Sequence, residues 1–547
     1  MNYRTSIQNL LDKTLKHPNK AYLHQPIQGQ WHSFTWSEVE HQARCIASGL
    51  KAQGFAAGSR IAILSKNCAE WFIADLAISM AQMISVPIYY TAGESTIRYI
   101  LKQADIKAIF VGKLDDTKAC EQAITPEILR IAFPYPTINT ENNWQDWLYC
   151  YAPLLDIHNP KSEDTATIVF TSGTTGNPKG LVITHKNIAA AVQSMVKVLS
   201  PLASDHCISY LPLAHITERT LIEASSLYVG NEVFFVESME TFIDNLKYAK
   251  PNFFLSVPRL WLKFQLQIIN KFSEKKLNFL LSIPLINTFV AWRIRCALGL
   301  QYARIFGCGT APISISVLQW FQKIGIPISE GWGMSETAGL SCCNFPFSKA
   351  QLGSIGTPLD CVEMKLSDND EILIRGDAVF KEYYQDPEAT AQSFTDGWLH
   401  TGDCAHLNPD GSYKIVGRIK EQFKTSKGKY VVPVPIESLL YTNPNIAQVC
   451  VMGSGLKQPI ALIDIHESCR RKDPVLIKSL NTLLSEINTQ LEKHEQLDYL
   501  FICQEAWSIE NGLLTATMKL KRNELEKRYQ TLISREYEGT ILWEEDL

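Results

Sequence analysis

The sequence predicts an α/β protein. A large N-terminal domain of stacked, mostly parallel sheets with helices is joined by a small β subdomain and a smaller, mobile α+β C-terminal domain. The first observation is that short apolar runs alternate with helical patterns between about residues 34 and 400. The second is a change near Cys361 to short apolar segments separated by tight turns. The third is a basic, glycine-containing stretch at 420–430, which opens a last module.

The strand predictions depend on short apolar runs rich in β-branched and aromatic residues. The first lies at 60–65 and is followed by a helical pattern that extends through Trp71 to Met80. We expect residues 1–417 to form the N-terminal domain, 418–423 a hinge and 424–547 the C-terminal domain. Further strands are predicted at 107–111, 166–170, 207–211, 233–236, 253–256 and 303–306.

Composition excludes several classes of protein. The chain has 547 residues, 52 basic and 56 acidic side chains and a net charge of -4, so it lacks the basic surplus typical of nucleic-acid binding. Its 14 cysteines include no CxxC pair, which favours reduced thiols in a cytoplasmic protein over a metal site or disulfides. The most apolar window, 277–292, contains polar residues and is shorter than the ~20 apolar residues of a spanning helix. We therefore expect a soluble or at most peripheral protein.

The strongest local motif is TSGTTGNPKG at residues 171–180, directly after a predicted strand. Its glycines let backbone amides turn towards an anion, its hydroxyls add donors, and Lys179 adds charge. It is not a Walker A loop, because Pro178 stands where that pattern has glycine. Thr184 is expected to cap a helix that extends through Ala191. The pattern predicts a triphosphate-binding loop, and the alternative is a surface turn rich in glycine and threonine.

This loop resembles the signature of the adenylate-forming (AMP-binding) superfamily, which includes acyl-CoA synthetases, luciferases and peptide-synthetase adenylation domains. Segments at 211–219, 307–312, 331–336, 401–403 with 417–418, and 514–522 resemble the family's other motifs in the family's order. The resemblance covers nearly the whole chain and implies that ATP activates a carboxylic acid as acyl-AMP. It implies the nucleotide-binding residues Thr171, Ser172, Gly173, Thr174, Thr175, Gly176, Lys179, Gly309, Thr310, Ala311, Gly331, Trp332, Gly333, Met334, Ser335, Asp403 and Arg418.

The resemblance also implies three catalytic residues. Lys519 matches the family's C-terminal lysine, and the Lys-Leu-x-Arg register favours it over Lys521. His215 lies where the family has an imidazole near the reacting carboxylate, and its alternative is a purely structural histidine. Lys179 is the third, in the phosphate loop.

Further roles follow from the same resemblance. Trp332 would stack on adenine, although a tryptophan taken alone favours the alternative, a core aromatic. Asp403 would accept hydrogen bonds from both ribose hydroxyls, with Arg418 on the ribose or a phosphate. Glu336 and Thr171 would be the protein ligands of Mg²⁺, a cation that prefers oxygen.

The resemblance also implies a second half-reaction that requires CoA and a rotation of the C-terminal domain. Lys420 occupies the family's hinge position, and Ser426, Lys427 and Gly428 would lie on the CoA side. Details of 211–219, 257–261, 424–437 and 515–522 resemble the branch that contains long-chain fatty-acid–CoA ligases. Trp261 would then be the gate of an acyl tunnel, unless it simply packs in the core.

Alternatives remain open at this stage. The stretch between Trp261 and Arg304 is rich in Phe, Leu and Ile with basic flanks, so it could contact a membrane or roof the acyl pocket. The chain could also load a carrier protein with acyl-AMP, activate an amino acid, or be a non-catalytic scaffold. The partners expected are a fatty acid, ATP and CoA. Chain length and oligomeric state do not follow from the sequence.

Overall fold

The computed structural model describes residues 3–171, 178–466, 473–509, 511–515, 519–533, 535 and 537–547. Within the first 360 residues, strands alternate with helices as expected. The strands are β1 (Ala21–Ile27), β2 (Gln30–Thr35), β3 (Arg60–Leu64), β4 (Ile84–Ile88), β5 (Ile106–Val111), β6 (Leu129–Ala132), β7 (Thr165–Thr171), β8 (Lys179–Thr184), β9 (His206–Ser209), β10 (Glu232–Phe235), β11 (Phe253–Ser256), β12 (Ile305–Cys308), β13 (Ile328–Met334), β14 (Gly339–Cys343) and β15 (Thr357–Pro358).

The helices of this part connect the strands and cover the sheets. They are α1 (Ser6–Lys16), α2 (Trp36–Ala52), α3 (Ala69–Met80), α4 (Glu94–Gln103), α5 (Lys118–Ala123), α6 (Trp144–Cys150), α7 (His185–Leu199), α8 (Ile216–Glu218), α9 (Ser225–Val229), α10 (Phe242–Ala249), α11 (Pro258–Phe272), α12 (Glu274–Ser282), α13 (Ile286–Leu298) and α14 (Ile315–Lys323). A π-helical turn, Arg219–Ala224, joins α8 to α9.

Three sheets build the N-terminal domain. One has the order β2-β1-β10-β9 and another β11-β12-β13-β14-β15. The largest has seven strands, in which β7, β4, β3, β5 and β6 are parallel neighbours, while β8 and the later strand β18 (Glu382–Tyr383) extend it antiparallel. The parallel α/β character predicted from the sequence is confirmed.

Helix α3 is buried between two sheets. Its Trp71 and Phe72 pack in one core cluster with Ile61 of β3 and Phe235 of β10. Nearly every residue of α3 is buried, because a helix with sheets on both sides has no solvent face. This packing fixes the two sheets to each other and so fixes the loops at their edges.

A small β subdomain follows the third sheet, as the change of texture near Cys361 predicts. Its sheet has the order β16-β17-β20-β19, with the fifth strand β21 paired to β20. The β20–β21 register sets Asp403 opposite Arg418. The elements are β16 (Glu363–Leu366), β17 (Glu371–Arg375), α15 (Pro387–Ser393), β19 (Phe394–Thr395), β20 (Trp398–Leu407) and β21 (Tyr413–Arg418).

The C-terminal part has its own core, in keeping with an α+β domain. A short hairpin precedes a four-stranded sheet of order β24-β25-β26-β27. The exact domain limits at 417 and 424 stay a prediction. The elements are β22 (Phe423–Lys424), β23 (Tyr430–Val431), α16 (Pro433–Leu440), β24 (Ile446–Met452), β25 (Ile460–Ile465), α17 (Pro474–Gln490), β26 (Leu500–Ile502), α18 (Arg522–Ile533) and β27 (Ile541–Trp543).

Among the described residues, no helix combines the length and the apolar character that crossing a membrane requires.

Candidate active site

The phosphate loop connects the two strands of a hairpin. β7 and β8 are antiparallel, and Thr171 pairs with Lys179 across the base of the loop. Strand β8, absent from the sequence prediction, therefore lies between the loop and helix α7. The predicted cap is present, because the Thr184 side chain accepts a hydrogen bond from the Asn187 amide at 3.2 Å. Ser172, Gly173, Thr174, Thr175 and Gly176 lie outside the described residues.

Lys179 and Glu336 meet around one tyrosine. The Lys179 ammonium lies 5.1 Å from the centre of the Tyr383 ring and 3.9 Å from the Asp386 carboxylate. The Tyr383 hydroxyl donates to Glu336 Oε1 at 3.3 Å. Tyr383 reaches this position because β18 pairs with β8, opposite Leu181. Sequence reasoning gave Tyr383 and Asp386 no role, since nothing local marks a residue that acts through pairing of distant strands.

The surroundings of Glu336 suit a divalent cation. Burial raises the pKa of its carboxyl, and the Tyr383 hydrogen bond and the charges of Arg418 and Lys519 only partly offset this. A carboxylate in such a position gains from a hard cation. Thr171, the last residue of β7, is the second ligand that the family resemblance implies. The described ranges contain no group of three or more His, Cys, Asp or Glu that could hold a metal ion. A cation with few protein ligands, completed by water and phosphate oxygens, is what Mg²⁺ prefers.

Glycines shape the adenine side. A Cβ on Gly309 would lie 3.1 Å from the Gly331 carbonyl oxygen, and one on Gly333 only 1.6 Å from the Gly339 carbonyl oxygen. The next residue in the loop, Thr310, has a φ of 69°, a left-handed conformation that non-glycine residues seldom adopt. The remaining predicted members of this side are Ala311, which follows Thr310, Met334 at the end of β13, and Ser335 in the 3₁₀ turn that follows β13.

Asp403 is fixed by two donors. Trp332 Nε1 donates to Asp403 Oδ2 at 3.0 Å, and Arg418 Nε donates to Oδ1 at 2.8 Å. The carboxylate is buried, yet its two oxygens accept about four hydrogen bonds in all, so capacity remains for two ribose hydroxyls. Trp332 therefore has a contact beyond the predicted adenine stacking: its indole N–H orients the carboxylate of Asp403, the predicted ribose acceptor.

His215 is a neutral imidazole. It stands at the N-cap of α8, where its Nδ1 accepts a hydrogen bond from the Thr217 amide at 3.2 Å. Burial, and secondarily the charge of Lys519, lower its pKa from 6.5 to about 3. Since Nδ1 accepts, the ring proton is on Nε2, which can donate to a substrate oxygen.

A buried polar cluster holds the segment in front of His215. Glu218 Oε1 accepts hydrogen bonds from Ser209 Oγ at 2.8 Å and from the Tyr210 amide at 3.1 Å. Asn67 donates to the Leu211 carbonyl at 2.7 Å and also approaches Glu218 at 3.4 Å. Burial raises the pKa of Glu218 to about 8. The cluster therefore fixes the end of β9, and it was not predicted because Asn67 is far away in sequence.

Lys519 brings the C-terminal domain to this site. Desolvation by surrounding protein is the main cause that lowers its pKa, followed by the positive charge of Arg418. The charges of Asp403 and Glu336 oppose this lowering, and His215 in turn feels the charge of Lys519. Four predicted residues of the N-terminal site, His215, Glu336, Asp403 and Arg418, therefore lie within electrostatic range of Lys519.

The hinge is tied to the C-terminal domain. Lys420 is exposed in the 3₁₀ turn Ile419–Glu421. Its neighbour Glu421 forms an ion pair with Arg522, with Nε and Oε2 3.3 Å apart. Arg522 also forms a bidentate ion pair with Glu437, at 2.6 and 2.5 Å. Arg418, predicted at the start of the hinge, is the last residue of β21.

The predicted CoA-side residues lie apart from this cluster. Ser426, Lys427 and Gly428 occupy the exposed loop of the β22–β23 hairpin, with Gly428 at a φ of 78°. Lys427 Nζ donates to Gln458 Oε1 at 2.8 Å, a contact within the C-terminal domain. The described contacts therefore join several of the predicted adenylation residues to one another, whereas the described side-chain contact of Lys427 stays within the C-terminal domain.

Trp261 is completely enclosed. Its indole N–H donates to the Gly307 carbonyl at 3.2 Å, next to the adenine-side loop. Phe254 and Phe321 contact it edge-to-face, with ring centroids 5.3 and 5.0 Å away. These contacts show Trp261 packed in the core, which is the alternative considered above. Its role as the gate of an acyl tunnel stays a prediction.

Comparison with known proteins decides the family. The model of the AMP-binding enzyme family matches residues 11–384, and that of the AMP-binding enzyme C-terminal domain matches residues 420–540. The chain belongs to the AMP-binding enzyme family. The family that the resemblance of motifs predicted is thus confirmed.

Curated relatives in this family include several ligases. The chain is 31% identical to mouse long-chain-fatty-acid–CoA ligase 5, over 95% of the chain and 85% of the relative. It is 30% identical to human long-chain-fatty-acid–CoA ligase 1, over 92% and 82%, and 28% identical to Dictyostelium discoideum fatty acyl-CoA synthetase B, over 93% and 86%.

Solved structures show the same fold. An anthranilate CoA ligase, AuaEII, in complex with anthranoyl-AMP superposes with a TM-score of 0.81 at 21% identity, covering 97% of this chain and 98% of that one. The o-succinylbenzoate CoA synthetase of Bacillus subtilis, with its acyl-adenylate, gives 0.76 at 22% identity, over 96% and 99%. These likenesses establish the two-domain architecture.

Proposed function

We propose that the protein joins a long-chain fatty acid to CoA through an acyl-AMP intermediate, releasing AMP and pyrophosphate. One observation carries the proposal: Lys519 of the C-terminal domain lies in the field of His215, Glu336, Asp403 and Arg418 of the N-terminal site. The fatty acid as substrate is supported by the names of the relatives that match along most of the chain.

In the first step, a carboxylate oxygen bonds to the α-phosphorus of ATP while the bond from that phosphorus to pyrophosphate breaks. Negative charge accumulates on crowded oxygens, so cations must be positioned in advance. Lys519 supplies one ammonium there, and Lys179 supplies another at the phosphate loop. His215, neutral and protonated on Nε2, orients the acid by donating to its carboxylate without competing for its charge.

The nucleotide is held by groups that the fold has already oriented. Asp403, fixed by Trp332 and Arg418, receives the ribose hydroxyls. Mg²⁺ held by Glu336 and Thr171 would supply charge neutralisation for the phosphates.

In the second step, the CoA sulfur bonds to the acyl carbon and the bond from that carbon to AMP breaks. Lys519 is close to the N-terminal site in the present arrangement, so we infer that the C-terminal domain turns about Lys420 to admit the thiol. The loop with Ser426, Lys427 and Gly428 would then reach the site. Magnesium dependence, a cytoplasmic location and these CoA-side roles stay predictions.

The test is pyrophosphate release by purified protein with ATP and Mg²⁺, across free acids from acetate to oleate, with and without CoA. Multiple turnovers on long acids that require CoA are the expected result. A single stoichiometric release that CoA does not stimulate would indicate a ligase that loads a carrier protein. Absence of release with every acid would favour a non-catalytic scaffold.

A further inference from the structure

A helical hairpin of the N-terminal domain exposes an unusual amount of apolar surface. It comprises α12 and α13 and the three residues between them. Phe279 is 65% exposed, Leu285 86%, Phe289 61% and Trp292 44%. Contiguous exposed apolar patches on soluble proteins generally mark contact surfaces. We call this patch, with Ile286, the apolar tip.

Helix α13 is apolar on two opposite faces. Ala291, Ile294 and Leu298 are buried and attach it to the core. The exposed Ile286, Phe289 and Trp292 are three residues apart and so share the outer face, where the rings of Phe289 and Trp292 have centroids 6.3 Å apart. The inner face alone accounts for packing, so the outer face requires another explanation.

Positive charge surrounds the apolar tip. Residues 258–303 contain seven basic side chains and one acidic side chain, whereas the whole chain carries a net charge of -4. Lys271, Lys275, Lys276 and Arg293 are exposed. An apolar centre with exposed lysines and arginines around it matches an anionic bilayer, where aromatic rings enter the headgroup boundary and cations contact phosphates.

We propose that the apolar tip and its basic border dock the protein on the surface of an anionic lipid bilayer. A second copy of the chain fits less well, because a symmetric dimer on this face would set the basic border of one copy against that of the other. The alternative role as a roof over the acyl pocket explains the inner face of α13, with Ile294 buried, but not the exposed outer face.

The hairpin packs beside the candidate acyl gate, so membrane docking here would bring that gate close to the bilayer. Leu277 of α12 is buried in the same core cluster as Trp261 and Phe264 of α11, so the hairpin is attached to the candidate acyl gate. A long-chain acid partitions into bilayers, and docking here would present the gate to that reservoir. This last link rests on the proposed function, whereas docking itself does not.

The test is sedimentation of the full chain with phosphatidylcholine vesicles, with and without phosphatidylglycerol. We expect binding that requires phosphatidylglycerol and weakens as salt rises. The double variant Phe289→Ser with Trp292→Ser should bind at least about tenfold more weakly, because two rings no longer enter the lipid. Lys275→Gln with Lys276→Gln should lose about fivefold per lysine, corresponding to ~1 kcal/mol each.

A matched control removes apolar surface elsewhere. Tyr149 and Leu155 are each 92% exposed, outside the hairpin, and Tyr149→Ser with Leu155→Ser should leave vesicle binding unchanged. The proposal is overturned if the native chain does not bind anionic vesicles, if the hairpin variants bind as well as it does, or if they convert a dimer to a monomer. Pyrophosphate release with a detergent-dispersed acid should be equal in the native chain and all variants. If no variant, nor the native chain, releases pyrophosphate, the proposed function fails while the vesicle result still tests docking.

Discussion

Replacement of Lys519 by alanine should abolish adenylation while sparing the second half of the reaction. Lys519 is exposed at the surface, yet neighbouring protein and the charge of Arg418 lower its pKa, and the charges of Asp403 and Glu336 act on it in the opposite direction. At an effective dielectric of ~20, a unit charge about 4 Å from a developing charge contributes ~4 kcal/mol. Removing it should therefore slow acyl-AMP formation by about 10²–10³-fold, the loss typical of one preorganised electrostatic contact.

Two assays separate the half-reactions. Pyrophosphate release in the presence of acid, ATP and Mg²⁺ reports adenylation, and thioester formation from CoA and synthetic acyl-AMP reports the second step. Lys519→Ala should fail the first and pass the second, because Lys519 must leave the site before the thiol enters.

Lys521 offers a matched control in the same segment. It is exposed, and Lys521→Ala keeps the backbone contact from its amide to the Leu513 carbonyl. Native rates are expected for that variant in both assays. Loss of both half-reactions in Lys519→Ala, or loss of adenylation in Lys521→Ala instead, would refute the assignment.

Three further predictions follow from single contacts. Tyr383→Phe removes the hydroxyl that donates to Glu336, so the Mg²⁺ concentration for half-maximal adenylation should change while the melting temperature stays within a few degrees; an unchanged Mg²⁺ titration would contradict this role. Because the pKa of His215 is lowered to about 3, the adenylation rate should not fall as pH decreases through 6.5. Because the pKa of Lys519 is lowered, the rate should fall as pH rises, at a pH below the usual lysine range. A profile of adenylation rate against pH checks both expectations. Trp261→Ala should cost about 3–5 kcal/mol in urea unfolding, and a native-like midpoint would show that the ring is not part of the packed core.

The strands and the order of motifs were predictable because they depend on local patterns. Apolar runs rich in β-branched or aromatic residues predicted β3, β5 and β11 to within one or two residues, and Thr184 capped its helix as expected. Strand β8 was not predicted, because its first two residues, Lys179 and Gly180, belong to the loop motif. It matters for the site, since its pairing with β18 is what brings Tyr383 to Glu336.

The resemblance of motifs also named most of the candidate site before any contact was known. It could not give the partners of those residues. Asp403 was expected to meet a ribose, but its hydrogen bonds to Trp332 and Arg418 follow from the register of β20 and β21 and the approach of β13. Asn67 and Glu218 meet only because separate strands converge at the end of β9.

The class of fold, the family and the chemical groups available for adenylation could be predicted from the amino-acid sequence, because each depends on residue types at short spacing. Which charged groups lie close enough to act on one another depends on tertiary packing. Lys519 and His215 are about 300 residues apart in the chain, and their proximity depends on how one domain packs on the other. Likewise, the apolar composition of α13 is visible in the sequence. That Ile294 is buried and Phe289 exposed is not, because burial depends on which elements pack against each face of the helix.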